Sequence, residues 1–183
     1  TTEIYTLSLH DALPISGAGP FGGPALILSG ESDWAEASAD FPFAAGDFTI
    51  MLWLYGEGGI TVLSKGSGFG SPAEWNLRWS GGPGVLRVDN RYYFAPRPLP
   101  PKRWTHVALV RRGSQGFAYV NGEACGGPED ISRLGALLND KPLRIGRRHH
   151  DAVPTPFIGR VAGVELLDGA LEAAAIQARA RGR

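Results

Sequence analysis

Few residues in this chain have the type and spacing to do chemistry. Glu31, Asp33 and Glu36 spell E-x-D-x-x-E, a carboxylate set of the kind that cleaves glycosidic bonds. A retaining mechanism needs two carboxyls about 5–5.5 Å apart, one as nucleophile and one as acid/base. Strand alternation places Glu31 and Asp33 on one face and Glu36 on the other, and Gly30 with Ser32 reads as a turn. Turn chemistry is therefore the expectation, and no catalytic residue is assigned. His149-His150-Asp151 could form a loop metal pair, but adjacent loop histidines are expected to be solvated. His106 lies amid apolar neighbours and reads as a core or cross-sheet residue. Cys125 is the single cysteine, which excludes an internal disulfide and a cysteine-built zinc site. The aromatics are the remaining signal. Trp53 and Tyr55 share one strand face, and Trp75 and Trp79 share another, with Asn76 and Arg78 beside them. Such rings stack on sugars while amide and guanidinium groups donate hydrogen bonds; the alternative is that they fill the core.

The elements that must position these residues are short strands. Of 183 residues, 26 are Gly and 14 Pro, 43% are hydrophobic and 20% charged, which suits one turn-rich domain with a buried core. Formal net charge is +0, so electrostatics favour neither nucleic acid nor an acidic membrane surface as partner. No apolar run approaches the ~20 residues of a membrane span. Turn clusters separate expected strands at 25–28, 47–55, 60–64, 74–79, 85–88, 91–94, 104–111, 117–120, 143–145 and 157–167. Phe48, Ile50, Leu52 and Leu54 form a core stripe, with Met51, Trp53 and Tyr55 on the reverse. The strand at 104–111 is apolar on both faces, as a central covered strand is. Asn121-Gly122 is a strong hairpin signal, because a type I′ turn needs φ > 0 at both positions. Gly146 and Gly159 are expected to mark bends. Only the tail reads as helical, near 169–180, with Asp168 as N-cap and Leu171 and Ile176 on one face.

Residues 1–16 are set apart. TTEIYTLSLHDALPI matches the translation of a common short-read sequencing adapter, fifteen residues in one frame. An artefactual or disordered segment is expected there, with the domain spanning 17–183 and the natural N-terminus, including any secretion signal, missing.

Several phrases follow one another in a telling order: Gly46-Asp47-Phe48-Thr49-Ile50 with Trp53, Leu63-Ser64-Lys65-Gly66, Trp75-Asn76-Leu77, Trp104-Thr105-His106-Val107-Ala108-Leu109-Val110, Tyr119-Val120-Asn121-Gly122, and Phe157-Ile158-Gly159-Arg160-Val161. Together, over about 24–180, they resemble the laminin-G-like jelly-roll domains of the concanavalin A-like lectin and glucanase superfamily, in their bacterial and phage forms. The resemblance implies an all-β, two-sheet antiparallel jelly-roll sandwich with a short C-terminal helix. It implies a non-catalytic module that binds glycan or protein within a larger extracellular or virion protein, such as a phage tail. A purely structural sandwich is the alternative and a glycoside hydrolase the third reading. Some glucanases of this clan carry the E-x-D-x-x-E motif, but here Ser32 stands where they place an aliphatic residue. Relatives often bind structural calcium through acidic residues after the G-x-I/V step; Ala162 and Gly163 occupy those places. No cofactor is therefore expected. The expected ligand is an extended glycan held by Trp53, Tyr55, Trp75, Asn76, Arg78 and Trp79 through ring stacking.

Overall fold

The computed structural model describes residues 7–10, 14–15, 18–30, 33–37, 46–66, 74–79, 85–88, 91–94, 99–137, 139–149 and 155–182. The chain runs through β1 (Leu7–His10), β2 (Pro14–Ile15), a single 3-10 turn (Pro20–Gly22), β3 (Ala25–Leu28) and β4 (Trp34–Ala37). Next come β5 (Phe48–Gly59), β6 (Thr61–Lys65), β7 (Trp75–Arg78), β8 (Val85–Val88) and β9 (Arg91–Tyr93). The second half holds β10 (Thr105–Arg112), β11 (Gln115–Val120), β12 (Glu123–Ala124), β13 (Glu129–Asp130), β14 (Leu143–Ile145), β15 (Phe157–Asp168) and α1 (Ala173–Arg179).

These strands make two antiparallel sheets, the jelly-roll sandwich expected from the sequence. One has seven strands in the order β1-β4-β14-β6-β7-β8-β9. The other has eight, with β12-β11-β10-β5-β15-β3-β2 in sequence and β13 beside β11. Alternation fixes what lies between them. Phe48, Ile50, Leu52 and Leu54 of β5 join Val107 and Leu109 of β10, Leu63 of β6, Leu77 of β7 and Ile145 of β14 in one core. Lys65 is buried at the end of β6, where its ammonium donates to the carbonyls of Asn139 and Lys141, each at 2.6 Å. A buried ammonium is tolerable because backbone oxygens replace its water.

The reverse of the central strands is also covered, as the doubly apolar pattern of 104–111 requires. Met51, Ala108, Val110, Tyr119 and Leu167 form a second apolar cluster under Ile176 of α1, with Leu171 packed against it. The helix starts later than expected. Glu172, not Asp168, is its N-cap residue, and no side chain caps it. Gly169 N–H donates to the Asp47 carbonyl at 2.9 Å and Leu171 N–H to Thr49 Oγ1 at 2.9 Å, so these residues finish the β15–β5 edge before the helix can begin. At the hairpin, Asn121 (φ 52) and Gly122 (φ 81) have the paired left-handed conformation of a type I′ turn. Asn121 also extends the ladder. Its N–H donates to the His106 carbonyl at 2.8 Å, and its Oδ1 accepts from His106 N–H at 3.0 Å.

One expectation needs correction. Ala25-Leu26 with Ser29-Gly30 and Asp33-Trp34 read as an opening hairpin, but β3 and β4 lie in different sheets. Within residues 1–16, β1 pairs with β4 and β2 with β3. Sheet edges carry unpaired N–H and C=O groups that accept any extended segment, whatever its sequence.

Gly159 marks the bend expected of it. It has φ 145, and β15 shifts register between Ile158 and Gly159, opposite β5. A Cβ there would collide with the Tyr55 carbonyl oxygen. Gly159→Ala should therefore lower stability by roughly 2–4 kcal/mol, seen as a lower urea midpoint with an unchanged slope.

Candidate functional site

Two sheet surfaces face away from the core, and they differ in chemistry. On the eight-stranded sheet, Ile176 of helix α1 packs with Met51 of β5. Beyond it, Trp53 and Tyr55 point outward and remain half-buried. Antiparallel register sets their neighbours. His106 lies opposite Trp53, and Arg160 lies opposite Tyr55. Trp104 leads into β10 one residue before the Thr105–Leu54 pair, which brings its ring to Tyr55 at 5.7 Å between centroids. The Arg160 guanidinium sits 5.0 Å from the centre of the Tyr55 ring, a cation–π distance.

Phe21 completes this group from outside the sheet. The 3-10 turn holds it at φ 54, with its ring edge-on to Trp53 at 5.3 Å and an interplanar angle of 89°. It is 70% exposed. Gly182, past the end of α1, lies against the same ring, so close that a Cβ there would come within 2.9 Å of it. Four aromatic side chains and one guanidinium thus share an accessible face. Such a face can stack against the apolar side of a sugar ring.

His106 underlies Trp53 with ring centroids 5.2 Å apart. It is 2% exposed, and its Nδ1 has no hydrogen-bond partner. Burial first, and then the charge of Arg179, lower its pKa from 6.5 to about 4. Arg179 comes from α1 and is itself paired with Glu165 at 2.9 Å. The imidazole is consequently neutral near pH 7 and acts as a packing ring, the cross-sheet role expected of it.

The outer face of the seven-stranded sheet is polar. Register aligns Glu36, Arg144, Ser64 and Asn76 across β4, β14, β6 and β7. Arg144 Nε donates to Glu36 Oε2 at 2.9 Å, and the same guanidinium lies 4.1 Å from the Trp34 ring centre. Residues 147–149 are strapped over this row. Ser64 Oγ donates to the Arg147 carbonyl at 2.8 Å, Arg144 donates to the His149 carbonyl at 3.3 Å, and Arg148 pairs with Glu74 through Nε at 2.8 Å. Arg148 and Glu74 are both buried. The polar row therefore serves the strap that covers it. His149 Nε2 lies 2.9 Å from the Pro142 carbonyl, and burial is the main cause lowering that histidine's pKa.

The six residues expected to bind ligand do not meet. Trp53 and Tyr55 join on the aromatic face. Asn76 and Arg78 belong to the other sheet, Asn76 only 3% exposed. Trp75 and Trp79 turn inward, at 0% and 7% exposure, and Trp79 packs edge-on to Phe157 at 6.3 Å. The alternation that pairs these two rings is correct, but their shared face is the core. Trp104, Arg160 and Phe21 are the members that the sequence reading left out, because only cross-strand register and a distant turn bring them to Trp53 and Tyr55.

The carboxylate motif is dispersed too. Glu31 lies outside the described residues. Asp33 accepts from Ser29 N–H at 2.8 Å and from the Ser29 hydroxyl, which is turn chemistry as expected. Glu36 sits on strand β4 rather than in a turn, with its charge taken up by Arg144. Among the described residues no three His, Cys, Asp or Glu side chains converge as metal ligands. His150 and Asp151 fall outside them.

Because the unfolded chain takes up the His106 proton near pH 6.5 and the fold resists it until about 4, stability is full above pH 6.5 and falls as pH drops toward 4. The loss from this group should be on the order of 3 kcal/mol. Urea denaturation at pH 7 and pH 4 should show His106→Gln losing less stability than the parent by about that amount; equal losses would remove the buried neutral imidazole.

A family model of the concanavalin A-like lectin/glucanases superfamily matches residues 29–177. No curated protein matches the sequence. Among solved structures, domain 4 of AbnA, an extracellular arabinanase of Geobacillus stearothermophilus solved with arabinotriose, superposes with a TM-score of 0.73 at 16% identity, covering 98% of this chain and 89% of that one. The binding domain of Paraclostridial Mosquitocidal Protein 1 gives 0.72 at 14% identity over 97% of this chain and 47% of that one. The ligand-binding domain of botulinum neurotoxin serotype D, solved with N-acetylneuraminic acid, gives 0.72 at 15% identity over 98% and 46%. The chain thus spans about half the length of the toxin domains, and at these identities the likeness is one of fold. With the two-sheet topology and the family match over 29–177, the chain belongs to the concanavalin A-like lectin/glucanases superfamily.

Proposed function

We propose that this domain is a non-catalytic carbohydrate-binding module whose platform is the outer face of the eight-stranded sheet around Trp53, Tyr55, Trp104 and Phe21. The observation that carries the reading is the gathering of these rings, half-buried or exposed, beside the Arg160 guanidinium. Aromatic faces bind sugars by covering axial C–H groups while polar neighbours fix orientation. Glu36 neutralised by Arg144, and Asp33 committed to Ser29, support a binding role rather than hydrolysis. The arabinanase domain was solved with arabinotriose and the serotype D domain with N-acetylneuraminic acid, so structural neighbours that hold sugars lend the reading further support.

Stacking fixes the scale of affinity. Each ring contributes roughly 0.5–1.5 kcal/mol beyond its buried area, so binding in the millimolar to micromolar range is expected. A glycan array followed by calorimetry tests the reading. Trp53→Ala and Trp104→Ala should each weaken a binding oligosaccharide roughly threefold to tenfold, with far-UV circular dichroism unchanged and with no response to EDTA. Unaltered affinity in both variants, or abolition by EDTA, would place the ligand elsewhere.

A further inference from the structure

We infer that this platform selects sugars bearing a carboxylate, uronate or sialate, over neutral ones; the inference rests on the glycan-binding reading and names its ligand class. It starts from the partners of the arginines. Arg112, Arg144, Arg148 and Arg179 each pair with a carboxylate: Glu172, Glu36, Glu74 and Glu165. Arg111 spends its donors on the carbonyls of Gly113, Leu134 and Gly135. Arg160 has no acidic partner among the described residues. The residue is half-buried, and its guanidinium lies over the Tyr55 ring.

A planar guanidinium fixed on an aromatic face keeps its edge donors directed outward, in the fork geometry that takes a carboxylate through two hydrogen bonds. Two further cations stand next to Trp104 in the chain. Lys102 and Arg103 are exposed in the turn that precedes Trp104. That turn is tied to the end of the Tyr55 segment, because Lys102 N–H donates to the Gly56 carbonyl at 2.9 Å. Glu57, exposed on the same strand, is the one acid close by in sequence. Among the described residues, these three cations against one anion give the patch a positive surplus on a molecule whose formal net charge is +0. A neutral sugar would stack on the rings and leave the surplus unmet. A pyranose carrying a ring carboxylate satisfies both, with its face on Trp104 or Tyr55 and its carboxylate on Arg160. The requirement is the same for a uronate within a polymer and for a sialate at a chain end.

The test uses matched pairs. Tetragalacturonate and sialyllactose are titrated by calorimetry, each against its methyl ester, which keeps the ring and removes the charge. The parent protein should bind at least one free acid tenfold or more tighter than its ester, with the preference shrinking as salt rises from 50 to 500 mM. The acid that shows the preference identifies its source. Arg160→Gln should bring the acid's affinity down to that of the ester while leaving the ester unchanged. Trp104→Ala should weaken acid and ester alike, whereas Tyr55→Ala, which also removes the ring under Arg160, should weaken the acid more. Equal binding of acid and ester, unaffected by Arg160→Gln, overturns the charge selection and leaves the stacking platform standing. No binding of either form, or binding indifferent to Tyr55→Ala and Trp104→Ala, overturns the platform and the selection with it.

Discussion

Everything on this molecule depends on β5 being apolar on both faces at the centre of the eight-stranded sheet. A strand of this kind cannot leave either side to water. Its inner face, Phe48 to Leu54, faces the seven-stranded sheet across the core. Its outer face needs a second cover, and α1 supplies that for Met51 through Ile176. Trp53 and Tyr55, further along the same face, stay half-buried. The aromatic platform is thus the half-buried end of a doubly apolar strand. Thr49 marks the opposite limit. Its hydroxyl donates to the Gly169 carbonyl at 2.8 Å and accepts from Leu171 N–H at 2.9 Å, clasping the helix approach to the start of β5.

The two outward faces show how much chemistry depends on what a polar group has already bound. Glu36, Arg144, Glu74 and Arg148 have the residue types of an active site, yet each charge is met by another and the 147–149 segment lies across them. Buried ion pairs of this kind contribute modestly to stability when intact and cost several kcal/mol when half of one is removed. They specify the path of a loop. Arg160 is of the same type, and it differs in meeting a ring rather than a carboxylate.

Local signals carried most of the fold. Ala25–Leu28, Val85–Val88 and Leu143–Ile145 fall where turn residues and alternation put them. The Asn121-Gly122 turn has the dihedrals its two residue types require. What was not legible was which of two apolar faces looks inward. Period-two alternation pairs Trp75 with Trp79 as surely as Trp53 with Tyr55, but it is symmetric between core and solvent. The sheet to which each strand belongs decides between them, and that is a long-range fact. The same limit hid Trp104 and Arg160, which reach Tyr55 only through pairings of β10 and β15 with β5. It also made β4 read as a turn: its four residues follow Gly30 and Asp33 so closely that the change of sheet leaves no local mark.

Gly182 against Phe21 joins two stretches of chain that are far apart in sequence, 18–22 and 180–182. Polypeptide continuing beyond 182 would therefore leave the sandwich at that corner, the one that carries the exposed ring. A neighbour on a short tether would shade the platform sterically. One on a longer tether would leave it free and let tandem copies reach along one polymer, where effective concentration converts weak single contacts into strong joint attachment. Spacer length at that corner then becomes a means of adjusting retention without altering any residue that touches sugar.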